Sequence, residues 1–369
     1  MKYVRNIWPD SILLSIIVLL TIVGMFVFMS ASFGLLAREG AGWSSVLFSQ
    51  IVLGLGGGLV LGLIAYMVPV SQMRRLALFV LVFSILLCIG VFIPGLGFRS
   101  GGATRWIHMF GFSFQPSELL KLSLVLFLAS WMSSLGEEIK VLKSGLLPFI
   151  GIITITGGLI LAEPDTGTFL VILVTAMSMF LVAGGRIKHV GIMLLCAVVL
   201  LSALIIAKPY VKERILTFFD PTTDPLGSSY QIRQVLLAIG SGGVTGRGFG
   251  QSLQKFQYLP EPIGDSVFAV VGEEFGFVGT TVIILLFLSF CLRGLTVAGR
   301  GQTKFNRLLG FGIVIMISAQ AFLHIGAMVG IFPLTGVPLP FVSHGGTALM
   351  VTLIASGILL QVSRNQKQI

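Results

Sequence analysis

Long runs of apolar residues alternate along the chain with short polar segments. A transmembrane helix needs about 20 mostly apolar residues to cross a hydrocarbon core about 30 Å thick. The pattern therefore predicts ten transmembrane helices, at 11–33, 46–68, 76–96, 117–134, 145–162, 167–184, 189–207, 266–290, 307–331 and 344–362. The expected fold is an all-α polytopic integral membrane protein. Residues 1–369 form one membrane domain with a large extracellular loop, 208–265, between helices seven and eight.

Composition supports the same class of protein. Hydrophobic residues make up 55% of the chain and charged residues only 10%, whereas a soluble domain carries roughly 25% charged residues. Cys88, Cys196 and Cys291 lie in or at the ends of apolar segments, without the spacing of metal ligands. Neither a disulfide framework nor a cysteine metal site is expected.

The positions of the basic residues predict the orientation in the membrane. With the N-terminus inside, fourteen Lys and Arg fall in cytoplasmic segments, and only Arg38, Arg99 and Arg105 fall in short outer loops. Cytoplasmic loops of membrane proteins carry such an excess. Both termini are therefore expected in the cytoplasm, and the net charge of +10 reflects topology rather than binding to nucleic acid.

The long outer loop has its own pattern. Ile232, Val235, Leu236 and Ile239 have the spacing of one helical face. Six glycines follow within the range 240–250. No strand precedes these glycines and no Gly-Lys-Ser/Thr sequence occurs, so close packing and tight turns are favoured over phosphate binding. The loop is expected to cover the outer membrane surface.

Several charged residues lie where a bilayer would exclude them, at a cost of at least ~2.5–3.5 kcal/mol each. Glu118 and Lys121 begin helix four and are three residues apart, so they can pair on one face. Two interpretations stay open: a neutralised pair at a polar helix end, or a Lys121 that binds an anionic headgroup together with Arg105. Glu163 and Asp165 lie in a short outer turn, where turn and cap chemistry is expected first, with Asp165 or Thr166 capping helix six. They also lie on the same membrane face as Asp265.

Helix eight carries three acids. Asp265 stands at its outer start, where the plainest role for an Asp is an N-cap. Glu273 and Glu274 lie roughly 12–13 Å farther along an uninterrupted helix. Glu273 stays near the face of Asp265 while Glu274 points away, so at least one is expected to be protonated or bonded to a neighbouring helix. His324 in helix nine is expected to be a hydrogen-bonded core residue.

Six motifs follow one another from helix four to helix ten. They are Gln115-Pro-Ser-Glu118 with Lys121, Glu163-Pro-Asp165-Thr-Gly167, Asp224-Pro-Leu-Gly227, Ala238-Ile-Gly-Ser-Gly-Gly243, Leu259-Pro-Glu261 with Asp265 and Gly272-Glu-Glu274, and Pro338-Leu-Pro-Phe-Val-Ser-His-Gly-Gly346. With them the chain resembles the SEDS glycosyltransferases, the family of FtsW and RodA. The segment 254–260 is closer to the FtsW (division) branch than to the RodA (elongation) branch. Ile263-Gly264 stands where the family often has His-Thr, His344 where it commonly has Tyr, and Gln257 near where it has an acid.

The resemblance implies a peptidoglycan glycosyltransferase of the bacterial cytoplasmic membrane. Such an enzyme polymerises lipid II on the outer face and releases undecaprenyl pyrophosphate. It works with a class B penicillin-binding transpeptidase, other divisome or elongasome membrane proteins and membrane lipid. The essential aspartate of the family matches Asp265.

Transfer from a pyrophosphate donor needs one base for the acceptor hydroxyl, because the leaving group departs as a stable anion. Asp265 is the expected general base, and Arg105 and Lys121 are the candidates for the pyrophosphate. The remaining substrate-binding candidates are Ser117, Glu118, Asp165 and Glu261, and the secondary or tuning candidates are Glu273, Glu274 and His344. A bridging Mg²⁺ or Mn²⁺ is compatible with this chemistry, although the sequence contains no firm metal site. No organic cofactor is expected.

Two alternatives belong to other classes. A lipid II flippase would have discontinuous helices, a polar path at the midplane and often paired repeats, and the sequence contains no convincing internal repeat. A non-catalytic scaffold for division proteins would leave Glu118, Lys121 and Asp265 unexplained.

Overall fold

The computed structural model describes residues 8–39, 42–100, 103–109, 112–220 and 229–364. The helices are α1 (Ser11–Glu39), α2 (Gly42–Phe48, continuing through a π-helical stretch, Ser49–Gly57, into Gly58–Met67), α3 (Val70–Gly90), α4 (Pro116–Leu135), α5 (Leu147–Ala162), α6 (Thr166–Val182), α7 (Ile187–Ala207), α8 (Pro209–Phe219), α9 (Tyr230–Ser241), α10 (Gln254–Gln257), α11 (Val267–Gly299), α12 (Lys304–Met328) and α13 (Gly346–Arg364). The strands are β1 (Gly97–Ser100), β2 (Ala103–Met109) and β3 (Phe112–Phe114). Between α4 and α5 the chain forms short 3-10 and π-helical turns, Gly136–Lys140 and Leu142–Leu146.

The ten predicted segments all fall on helices. Within the described ranges, nine helices are long and apolar enough to cross a membrane, and α6 is a shorter apolar helix. Four predicted boundaries were wrong by at least six residues, because α1 continues to Glu39, α3 begins at Val70 and ends at Gly90, and α11 continues to Gly299. The extensions at the start of α3 and at the end of α11 contain arginine, which a hydropathy pattern excludes although a helix end at the membrane surface accommodates it.

Some sequence predictions lie outside the described residues. These are the chain ends 1–7 and 365–369, the side chains of Arg38 and Arg99, and the motif Asp224–Gly227.

A small antiparallel sheet between α3 and α4 was not predicted. Its strands lie in the order β1-β2-β3, with Gly97 opposite Ile107 and Ile107 opposite Phe114. The sheet, α8, α9, α10 and the start of α11 lie at one end of the helix bundle, which we call the loop face. The other end is the opposite face.

The core of the bundle is formed by α12 and α13, which are its most buried helices, whereas α7 is largely exposed. Glycines four residues apart on α2 let that helix approach α13 closely. A Cβ atom on Gly58 would lie 2.7 Å from the Leu353 side chain, and one on Gly62 would lie 2.8 Å from the Leu353 carbonyl oxygen. Small residues at this spacing are typical of tight helix pairs in membranes.

The helix α11 is broken at Gly276, where the backbone has φ 62° and ψ −157°. Only glycine adopts this conformation without strain. The break divides α11 into a short helix up to Phe275 and a longer helix from Phe277. The uninterrupted helix expected from the sequence was therefore wrong.

The glycine-rich segment after α9 closes this break. Four backbone hydrogen bonds join the two: Arg247 N to Glu273 O (3.0 Å), Gly248 N to Glu274 O (2.9 Å), Phe277 N to Gly243 O (2.9 Å) and Val278 N to Val244 O (3.1 Å). Gly243, Gly246 and Gly248 have positive φ angles. The expected role of these glycines in close packing and tight turning is confirmed.

Candidate functional site

A polar cavity of about 410 Å³ opens beside Asp265 at the loop face. Its charged lining residues are Arg105, Glu213, Arg214 and Asp265. Tyr210 and Gln231 add polar groups, and Met328, Phe332 and Leu334 contribute an apolar wall. We call it the Asp265 cavity; its volume is typical of a site for a small molecule or part of a larger substrate.

Asp265 does not cap the helix that follows it. The N-cap of α11 is Ser266, and no side chain forms a capping hydrogen bond there. Within the described ranges, the Asp265 carboxylate accepts no hydrogen bond, although it is half-buried. The cap interpretation of this residue is therefore wrong, and its carboxylate is available to the cavity.

The turn that presents Asp265 is held by the loop between α12 and α13. Ser343 Oγ donates to the Gly264 carbonyl (2.8 Å), and the His344 amide donates to the Ile263 carbonyl (2.6 Å). Glu261, at φ 44°, accepts backbone hydrogen bonds from the amides of Gly264 and Ser266, both at 3.1 Å. These bonds hold the backbone on both sides of Asp265 in place.

The surroundings of Asp265 suit a base that works near neutral pH. Burial and the nearby negative charge of Glu261 raise the pKa of Asp265 from 3.8 to about 6. The guanidinium groups of Arg214 and Arg105 act in the opposite direction. The carboxylate is thus more basic than an ordinary aspartate and still ionised at pH 7.

The two arginines of the cavity are anchored through backbone carbonyls. Arg105, on β2, donates through Nε to the Glu163 carbonyl (2.9 Å) and through Nη2 to the Pro164 carbonyl. Arg214, on α8, donates through Nη1 to the Thr335 carbonyl (3.1 Å). Neither guanidinium is neutralised by an ion pair with a described acid, so both remain able to bind an anion.

Sequence reasoning missed the contribution of α8. Tyr210, Glu213, Arg214, Thr217 and Phe218 all line the cavity. Their spacing of i, i+3, i+4, i+7 and i+8 places them on one helical face. This polar helical face within the long loop is the sequence signal from which the contribution of α8 could have been predicted.

Glu118 and Lys121 lie outside the Asp265 cavity. Lys121 Nζ donates to Glu118 Oε1 (2.9 Å) and to Gln320 Oε1 (2.6 Å), and both charged side chains are buried. Their predicted pairing is confirmed, and the geometry favours a neutralised structural pair over a headgroup site. Ser117 is also buried beside them, and its Oγ contacts no hydrogen-bond partner among the described residues.

Asp165 caps α6, as one interpretation expected. Its two carboxylate oxygens accept from the amide (3.0 Å) and the hydroxyl (2.9 Å) of Thr168. Glu163 is fully buried in the same turn, close to Cys88. Burial, followed by the charge of Asp165, raises the pKa of Glu163 to about 8.

Glu273 and Glu274 bind the loop rather than the Asp265 cavity. Glu273 accepts from Ser252 Oγ (2.5 Å) and the Leu253 amide (3.0 Å). Glu274 pairs with the fully buried Lys255 (2.5 Å) and accepts from Ser30 Oγ of α1 (2.5 Å). The expected bond to a neighbouring helix is confirmed for Glu274.

The two histidines have different surroundings. His324 Nδ1 lies 2.8 Å from the Val337 carbonyl in the core, as predicted. His344 stacks on Phe28 with ring centroids 5.9 Å apart and lines a different cavity from Asp265. Burial lowers the pKa of His344 to about 4.

The residues around Asp265 do not fit a metal site built by the protein alone. Within the described ranges, no group of three or more His, Cys, Asp or Glu is placed to hold a metal ion. Two arginines line the cavity together with its two acids, and their positive charge disfavours a cation there. The Mg²⁺ or Mn²⁺ compatible with the sequence stays a prediction, and no step below depends on it.

Known proteins of one family are similar to this chain over most of its length. The FtsW/RodA/SpoVE family profile, described as a cell cycle protein, matches residues 10–368. The chain is 37% identical over 363 residues to stage V sporulation protein E of Bacillus subtilis, covering 96% of this chain and 97% of that protein. It is 39% identical over 305 residues to a probable peptidoglycan glycosyltransferase FtsW of Geobacter metallireducens, covering 83% and 81%.

Solved structures agree. One similar chain belongs to a peptidoglycan synthase complex that coordinates polymerization and crosslinking, with a TM-score of 0.80 at 28% identity, covering 98% of this chain and 99% of that one. The rod shape determining protein RodA of Thermus thermophilus gives a TM-score of 0.70 at 25% identity, covering 98% of both chains.

Proposed function

The chain belongs to the FtsW/RodA/SpoVE family, and on that premise we propose that its glycosyl transfer takes place in the Asp265 cavity. Membership confirms the resemblance to the SEDS glycosyltransferases, and the chain is a multi-pass membrane peptidoglycan glycosyltransferase. One observation carries the proposal. Asp265 offers a carboxylate without hydrogen-bond partners among the described residues, in a polar cavity between two anchored guanidinium groups.

In this proposal Asp265 is the general base of lipid II polymerisation. The acceptor sugar hydroxyl forms a bond to the donor anomeric carbon while its proton passes to the Asp265 carboxylate. The bond from that carbon to the pyrophosphate oxygen breaks, and undecaprenyl pyrophosphate leaves as an anion. A single carboxylate suffices, because the leaving group needs no proton.

Arg105 and Arg214 are proposed to bind the pyrophosphate. Guanidinium groups suit phosphate oxygens because they donate in a planar fork and keep their charge. Both already have fixed positions through their carbonyl contacts, so little rearrangement is needed when the anion arrives. Arg214 replaces Lys121 as the second candidate for binding the pyrophosphate. The Lys121 ammonium group is already bonded to Glu118 and Gln320.

The geometry favours a polymerase over a flippase. A flippase would need its discontinuous helix to border a polar path through the membrane. The break in α11 is instead filled by the glycine-rich segment, which satisfies its backbone groups. The cavity with its unpaired guanidinium groups lies at the loop face.

We further propose the location and partner of the enzyme. The loop face points to the outer side of the bacterial cytoplasmic membrane, with both termini inside, as the basic residues predict. A class B penicillin-binding transpeptidase is the proposed partner, supported by the similarity to a chain of a peptidoglycan synthase complex. Other divisome or elongasome membrane proteins and the FtsW-like branch remain predictions.

Substitution of the base tests the proposal. Asp265→Asn should lower polymerisation of purified lipid II at least about 100-fold, the usual contribution of a general base, when glycan products are followed on gels with the transpeptidase partner present. Glu138→Gln, a carboxylate-to-amide change at an exposed position of the opposite face, should leave the rate unchanged. Near wild-type polymerisation by folded Asp265→Asn protein would show that another group is the base.

A further inference from the structure

A second charged cavity, of about 550 Å³, lies at the opposite face of the protein. The first turns of α3 and α12 and the last turns of α13 surround it. The far end of α12 lies at the loop face, since Met328 lines the Asp265 cavity. A helix of 25 residues separates the two cavities, so the second is not a part of the first.

The charge of this cavity is uncompensated. Arg74 and Arg75 both line it, and its lining contains no acid. Throughout the described part of the chain, no carboxylate lies within ion-pair distance of either arginine. Two positive charges that share one concave surface without a counter-ion make it a site for an anion.

The arginines are accompanied by groups that orient a ligand. The Arg74 guanidinium lies over the Phe305 ring, with Cζ 5.8 Å from its centroid, which holds the side chain by a cation–π contact. Thr303 and Asn306 line the cavity, and the Thr303 hydroxyl donates to Asn306 Oδ1 (2.9 Å). The amide nitrogen of Asn306 is then the donor of that side chain.

The position of the cavity indicates where its anion comes from. It opens between helices at a membrane end of the bundle, and α3 continues from it with a lipid-exposed surface formed by Leu76, Leu78 and Phe79, each more than half exposed. A phosphate in the cavity would therefore place attached acyl chains along an apolar helix. Basic pockets between transmembrane helices suit anionic lipid headgroups.

We propose that this cavity binds the phosphate of an anionic phospholipid headgroup. The Arg74 and Arg75 guanidinium groups hold the phosphate oxygens, the polar ends of α12 and α13 contact the headgroup, and the acyl chains lie against α3. This lipid site is separate from the substrate cavity and does not depend on the proposed mechanism.

Native mass spectrometry of the detergent-purified protein tests the site with phosphatidylglycerol and with phosphatidylcholine of identical acyl chains as probes. The wild-type protein should bind the first phosphatidylglycerol at least about tenfold more tightly than phosphatidylcholine. The double substitution Arg74→Gln, Arg75→Gln should weaken phosphatidylglycerol binding about tenfold or more, because it removes both positive charges that attract the phosphate. Arg74→Lys, Arg75→Lys should retain part of the affinity.

The matched control removes two charges from an exposed segment of the same face, through Arg186→Gln with Lys188→Gln, and should change binding less than about twofold. An equal loss in both double variants would overturn the proposal in favour of general surface charge. Displacement of the bound lipid by millimolar glycerol 3-phosphate would overturn it in favour of a soluble phosphate ester. Equal binding of both lipids by the wild type overturns it even if the variants fail to fold.

Discussion

At the scale of single residues, Asp265 is controlled by charges of both signs. Burial and, after it, the charge of Glu261 raise its pKa, whereas Arg214 and Arg105 lower it. The outcome, about 6, keeps the carboxylate ionised at neutral pH while making it a stronger base than a free aspartate. The arginines proposed to bind the leaving anion therefore also lower the pKa of the proposed base.

This balance predicts a pH dependence. A general base must be deprotonated, so polymerisation should fall as the pH drops through about 6 and level off above neutral pH. Glu261→Gln removes the charge that disfavours ionisation, so it should lower the pKa and shift the acid limb to lower pH. Initial rates of lipid II polymerisation from pH 5 to 8 measure both profiles. An unchanged acid limb in Glu261→Gln protein would show that Asp265 does not set it.

Gly336 gives a second residue-scale prediction. It has φ 69°, and a Cβ atom there would lie 3.5 Å from Asp265 Oδ2 and 3.6 Å from Arg214 Nη2. Gly336→Ala should cost about 1–2 kcal/mol of stability and place a methyl group beside both the proposed base, Asp265, and Arg214, which is proposed to bind the anion. Polymerisation should fall more than tenfold. Gly151→Ala, at a helical position with open space around it, is the control; equal rates for the two variants would contradict the prediction.

At the scale of elements, a buried ion pair joins α10 to α1 and α11. Lys255 and Glu274 are both fully buried at 2.5 Å, and Ser30 bonds to both of them. The pair fixes the segment that leads from the glycine-rich turn toward Asp265. Because the pair connects structural elements and lies outside the Asp265 cavity, its loss should mainly lower the free energy of unfolding.

Removing one partner of this pair should be costly. Lys255→Met leaves Glu274 buried without its counter-ion, which should lower the free energy of unfolding by about 3–5 kcal/mol. The double variant Lys255→Met, Glu274→Gln should recover part of that loss. Lys140→Met, which breaks the exposed pair with Glu137, should cost no more than about 1 kcal/mol. Thermal unfolding in detergent compares them, and equal effects of the buried and exposed changes would contradict this assignment.

The sequence predicted the positions of the helices along the chain better than the contacts between them. Runs of apolar residues located the helices, and the glycine cluster indicated tight packing, because both depend on local composition. The break at Gly276 could not be predicted, since a glycine in an apolar helix is common and this one depends on distant partners at 243–248. The sequence places Lys121 near the start of its helix but does not show which way its side chain points. In the structure the side chain bonds to Gln320 and lies outside the Asp265 cavity.

At the scale of the whole molecule, the two faces carry different chemistry. The loop face holds the two acids and two arginines of the Asp265 cavity, and the charged lining residues of the cavity at the opposite face are arginines alone. The bidentate contact of Arg293 with Asp10 (3.0 and 2.6 Å) ties the first helix to α11 near that opposite face. The orientation of the helix bundle in the membrane therefore determines which side of the membrane each of the two cavities faces.

Cysteine labelling tests that orientation. In a protein without native cysteines, Lys212→Cys on α8 should react with a membrane-impermeant maleimide in intact spheroplasts. Lys188→Cys should react only after permeabilisation, since both positions are exposed but lie on different faces. The reverse pattern would invert the proposed topology and place the Asp265 cavity inside the cell.

The break at Gly276 also bears on how the protein is assembled. Backbone groups of α11 that lack helical partners cannot find water within a bilayer, where each unsatisfied group costs several kcal/mol. Their partners lie in the segment 243–248, which is synthesised earlier and must reach them after insertion. Completion of this span and docking of the loop are thus one cooperative step. The amide protons of Phe277 and Val278 should exchange with solvent only when the loop undocks, at a single common rate.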